Sequence, residues 1–144
     1  MNKYNRKDPL CYKVYNWEDG QVLAESPVMS LTTIRRVVGK ACRYYGVRPA
    51  PQVRLYPKAR TSFSLYGTLG FVPKHLNPIV VLHEAAHYIA DKLFGGEYGT
   101  PHSDEWFGIY CWLLIKFEVY EPAFLRGSLK PYRLTLKPLG PDRL

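Results

Sequence analysis

The chain has 144 residues, 47% of them hydrophobic and 22% charged, which is the size and balance of one globular domain spanning residues 1–144. That balance excludes disorder, collagen and coiled coil. Twenty Lys and Arg against twelve acids give a net charge of +8, a charge that favours contact with polyanions.

Taken in chain order, the residues from Cys11 to Trp17 are rich in aromatic and β-branched side chains with partial alternation, and Asp19-Gly20 follows as a turn signal, so a first strand is expected there. Between Met29 and Tyr45, Ile34, Val37, Val38, Ala41 and Tyr45 fall at helical spacing before Gly46. The opposite face of this N-terminal helix carries Arg36, Lys40 and Arg43, a basic stripe. After Pro49-Ala50-Pro51, Gln52 to Tyr56 reads as a short strand, and Thr61 to Tyr66 with Thr68 to Val72 reads as a hairpin around Gly67. From Pro78 to Phe94 the pattern is helical, with Asn77-Pro78 as cap and first position and Gly95-Gly96 as the stop. A return helix is expected to begin near His102 or Ser103, with Asp104 and Glu105 in its first turn, and to run through Phe107, Tyr110, Cys111, Leu114 and Phe117. Beyond Glu121 the chain reads as a proline-broken tail, basic from about 126 to 144.

Cys11, Cys42 and Cys111 are odd in number and far apart, so no disulfide framework or thiolate zinc site is indicated and a reducing compartment is expected. The polar stretch Met1 to Asp19 holds no apolar core of a signal segment, and no run approaches the roughly 18 apolar residues of a membrane span. A cytoplasmic protein without membrane contact is the expectation.

His83-Glu84-Ala85-Ala86-His87 is a His-Glu-x-x-His motif in a helical segment. At about 100° per residue, His83 and His87 share one face one turn apart, and both imidazoles can converge on a cation. Glu84 beside them has the general-base position of zinc hydrolases. Catalytic zinc takes a third protein ligand and keeps a position open. His102 fits that role, because neutral imidazole suits zinc and nothing else explains it, with Glu105 as the alternative ligand or a support for a ligand. His75 reads as a surface histidine. Tyr66, Tyr88 and Tyr98 could each donate to an oxyanion, but in a chain with twelve tyrosines packing is the better account of each.

These residues, His83-Glu84-x-x-His87 and then, after fourteen residues, His102-Ser103-Asp104-Glu105-Trp106, resemble the SprT-like zinc metallopeptidases, whose pattern is His-Glu-x-x-His followed by His-Gly-x-Glu-Phe. The resemblance covers about Ile79 to Leu114, a quarter of the chain, and Ser103 departs from the family's usual Gly. It implies zinc on His83, His87 and His102 and a catalytic base at Glu84. In length and in the segment Val14 to Asp19, the chain is also similar to small metallohydrolases of phages and their bacterial hosts.

The expectation is an α+β, zincin-like fold: a small, mostly antiparallel sheet with the N-terminal helix, the motif helix and the packed return helix. The expected function is zinc-dependent hydrolysis of peptide bonds, with an extended substrate added to the strand Thr68 to Val72 as a sheet edge. The alternative is a nucleic-acid-binding or virion-associated protein with a structural or vestigial zinc, using Arg36, Lys40, Arg43 and the tail. Hydrolysis of an amide in cell wall or in a small molecule is a third reading.

Overall fold

The computed structural model describes residues 9–21, 27–95 and 102–144. The elements are α1 (Pro9–Gln21), α2 (Leu31–Tyr44), β1 (Gln52–Leu55), β2 (Phe63–Leu65), β3 (Thr68–Phe71), α3 (Pro78–Phe94), α4 (Asp104–Lys116) and α5 (Pro122–Leu129). This is an α+β arrangement with a three-stranded sheet. None of the helices among the described residues is long and apolar enough to cross a membrane.

The first element corrects the sequence reading, for the segment Cys11 to Trp17 is helical, not a strand. Its buried residues, Cys11, Val14, Trp17 and Glu18, recur every three or four positions, which is the period of a helix lying on a core. Burial of that face overrides the β preference of its aromatic residues. The Trp17 indole N–H also donates to Ser128 Oγ across the molecule at 3.1 Å.

α2 starts at the Ser30 cap, whose Oγ accepts from the Thr33 amide at 3.1 Å, and it buries Ile34, Val38, Ala41 and Cys42. Arg36, Lys40 and Arg43 stay exposed on its other face.

The sheet order is β1-β3-β2, with β1 and β3 parallel and β2 and β3 antiparallel, so the sheet is mixed where a mostly antiparallel one was expected. A two-residue hairpin joins β2 to β3 through Tyr66 and Gly67, both at positive φ (51° and 75°), as this tight turn demands. The hairpin folds β3 into the middle, beside β1 and in the same direction. Thr68 to Val72 is therefore central, which rules it out as the free edge expected for a substrate. The edges are β1 and β2, and β2 packs with β3 against α3. Gly70 is required opposite Phe63, because a Cβ there would stand only 2.3 Å from the Phe63 ring.

The tail also differs from expectation. Pro122 opens α5 at its first position, where the missing N–H breaks no helical hydrogen bond, and the helix buries Leu125 and Leu129 completely. The rest of the tail returns along α4. The Leu139 amide donates to the Gly108 carbonyl at 2.9 Å, and the Tyr45 hydroxyl donates to the Leu139 carbonyl at 2.6 Å. Its cations Arg126, Lys130, Arg133, Lys137 and Arg143 are exposed. A contiguous apolar core runs from Val14 and Trp17 through α2, the sheet, α3 and α4 to Leu134.

Candidate metal centre

α3 is buried on almost every side, from Ile79 and then from Val81 through Ala90. It starts as the sequence predicts: Asn77 Oδ1 accepts from the Val80 amide at 3.0 Å with Pro78 in the first turn. It ends at Gly95, whose φ of 69° closes the last turn. The small side chains of Ala85 and Ala86, both fully buried, let α4 pack closely against it. α4 starts at Ser103, whose Oγ accepts from the Trp106 amide at 3.1 Å. That cap fixes His102 just before the helix, facing α3.

His83, His87 and His102 meet at one point. Their Nε2 atoms form a triangle with 3.2 Å on each side, and all three residues are buried. His83 Nδ1 lies 2.6 Å from a Glu18 carboxylate oxygen, so the Nδ1 proton goes to that oxygen and the lone pair of His83 sits on Nε2. Lone pairs converging this closely repel unless a cation joins them. Two ligand nitrogens about 2.05 Å from a shared tetrahedral centre stand about 3.3 Å apart, close to the observed spacing. The three histidines can therefore hold a metal ion. Burial, reinforced by His83 and His102, holds His87 well below the ordinary histidine range, which keeps its ring neutral and ready to ligate.

Trp106 closes one side of the triangle. Its ring centroid lies 4.8 Å from those of His83 and His87 and 4.5 Å from that of His102, and its N–H donates to the His83 carbonyl at 3.2 Å. The half-exposed ring of Tyr15 approaches His83 and His102, with centroids at 5.8 and 5.2 Å.

Glu84 lies beside the triangle, with Oε1 3.6 Å from His83 Nε2. Its Oε2 is buried without a hydrogen-bond partner, as is His87 Nδ1. Burial pushes the Glu84 carboxyl up to about 8, with the Glu18 charge adding to the shift.

The other sequence candidates are distributed differently. Glu105 is exposed in the first turn of α4 and stands outside the histidine cluster, where its charge favours the helix N-terminus. The Tyr88 hydroxyl donates to the Pro49 carbonyl, Tyr66 is 78% exposed in the hairpin, and Tyr98 lies outside the described residues. His75 is half-buried, where a surface position was expected, and its Nδ1 pairs with Ser62 Oγ at 3.0 Å.

Sequence reasoning missed Glu18 and Tyr110 as parts of the site. Glu18 Oε2 also accepts from the Tyr110 hydroxyl at 2.7 Å, and burial raises the Glu18 carboxyl to about 8 against the pull of that hydrogen bond. A helical reading of α1 puts Glu18 seven residues after Cys11, on the apolar face, and that was the available signal. Comparison with protein-family models, with curated proteins and with solved structures finds no match to this chain.

Proposed function

We propose that the protein is a zinc-dependent hydrolase, a metallopeptidase of SprT-like type. The observation that carries this reading is the buried triangle of three imidazole nitrogens with an unpartnered carboxylate oxygen of Glu84 beside it. A purely structural ion needs no such carboxylate, and it takes four protein ligands more often than three. His83, His87 and His102 would hold the zinc, which supplies Lewis acidity that lowers the pKa of water towards about 7. Glu84 takes the proton from the attacking water and delivers it to the departing amine nitrogen. Trp106 fills the space on one side of the histidines and holds their rings in place. An extended peptide would pair with the free edge of β2, the edge strand that packs on α3.

The exposed cations support a second property, contact with nucleic acid. Arg36, Lys40 and Arg43 lie on the outer face of α2. The Lys40 ammonium sits 5.8 Å from the Tyr44 ring centroid and 5.9 Å from that of Phe117, which mixes charge with aromatic surface. Such contact would bring the enzyme to substrates bound on DNA, and as the sole function it is the competing reading.

The test is cleavage of an unfolded protein by the zinc-loaded chain and by its Glu84→Gln variant, with and without single-stranded DNA. Cleavage by the wild-type chain and none by a variant that keeps its zinc is the expected result. Nucleic-acid binding without cleavage by either would favour the competing reading.

A further inference from the structure

The proposed site draws its ligands and its base from α3 and from the start of α4, yet its shortest polar contact comes from α1. Glu18 Oε2 is 2.6 Å from His83 Nδ1 and 2.7 Å from the Tyr110 hydroxyl, and that hydroxyl also stands 3.2 Å from the Ile79 carbonyl. Glu18 is only 7% exposed, and among the described residues no lysine or arginine pairs with it. A carboxylate buried so deeply is costly without positive charge nearby, and one hydrogen-bonded neutral imidazole supplies none. A divalent cation on the far nitrogen of that imidazole supplies it.

The same contact sets the chemistry of His83. With its proton held on Nδ1 by Glu18, the ring presents a lone pair at Nε2, towards the Nε2 atoms of His87 and His102. The Tyr110 hydroxyl fixes the carboxylate, and α4 fixes Tyr110, which is fully buried. We infer that Glu18 is a positioning residue of the metal centre, and that through it the docking of α1 and the binding of the metal reinforce one another.

The inference rests on the metal-binding part of the proposed function and is independent of hydrolysis. Coupling of this kind is reciprocal: bound metal strengthens the docking of α1 by the same factor by which that docking strengthens metal binding, so a change that removes the contact of α1 with His83 removes the coupling. A merely structural Glu18 would instead support α1 equally with and without metal, as Val14 and the Trp17–Ser128 hydrogen bond do.

The experiment measures zinc affinity by chelator competition, and thermal unfolding with and without zinc, for the wild-type chain, Glu18→Gln, Glu18→Ala and Tyr110→Phe. Loss of the outer-shell partner is expected to weaken zinc binding by about 10- to 100-fold, most in Glu18→Ala and least in Tyr110→Phe. In Glu18→Gln the Tm of the metal-free protein should hold or rise, because an amide is easier to bury, while the rise in Tm on adding zinc shrinks. The cobalt(II) absorption spectrum of the same variant should shift as the His83 ring loses its charged partner. Glu18→Gln and Tyr110→Phe preserve shape, so they decide the matter even if Glu18→Ala fails to fold. Wild-type zinc affinity with an undiminished zinc-induced rise in Tm in Glu18→Gln would overturn the inference alone. A wild-type chain that binds no zinc would overturn it together with the metal reading.

Discussion

At Asp91, one turn beyond His87 on α3, a buried carboxylate oxygen has no hydrogen-bond partner, and burial raises the carboxyl to about 6 against the opposing charge of Lys92. The folded state therefore resists ionising this group. Its penalty is absent below the unfolded value near 3.8, grows as pH rises through about 6, and is complete above that. Because the side chain is only partly buried, solvent screening reduces the effect to about 1 kcal/mol. Asp91→Asn should match the wild-type Tm at pH 4 and exceed it at pH 8, as read by thermal unfolding across that range. At this scale the histidine pair was legible in the sequence because both residues sit on one helix at fixed spacing. His102 was legible from its donor chemistry. Glu18 was not, since only the tertiary contact of α1 with α3 makes it a partner of His83.

Elements with strong local punctuation emerged where the sequence placed them. α3 runs from Pro78 to Phe94 between its Asn77 cap and Gly95, and the hairpin turns at Gly67. α1 and α5 failed the local reading for opposite reasons. In α1 an aromatic, β-branched composition masked a helical burial period, and in α5 a proline taken for a break serves as a helix start. The consequence for α5 is measurable. Leu125 is fully buried in the shared core, so Leu125→Ala should lower unfolding free energy by about 2–5 kcal/mol in a denaturant titration. A loss well under 1 kcal/mol would mean that the tail is peripheral to the fold.

Across the whole molecule, strand order was the feature least visible in the sequence, because the pairing of β1 with β3 joins residues separated by an intervening strand. The net charge of +8 was visible, and the exposed face of α2 with the exposed tail cations shows where part of it gathers. If Arg36, Lys40 and Arg43 each neutralise a phosphate, nucleic-acid affinity falls with salt at a log–log slope of about −0.7 to −0.9 per contact. Reversing all three to Glu should flatten the total slope by about 2 to 3, as read by fluorescence anisotropy over a salt series, and leave zinc content unchanged by metal analysis. Undetectable binding by the wild-type chain at about 50 mM salt would leave the charge without a nucleic-acid partner.

His83, His87 and His102 stand close enough to hold one metal ion, and the proposed hydrolase requires that they do. Calorimetric titration of zinc into the metal-free wild-type chain, and into its Glu84→Gln, Glu105→Gln and His102→Ala variants, tests this directly. One high-affinity zinc per chain is expected in the wild-type protein and in both Glu variants, with affinity reduced at least about 100-fold in His102→Ala, where two imidazoles remain. Full wild-type affinity in His102→Ala, or no zinc bound by the wild-type chain, would contradict it.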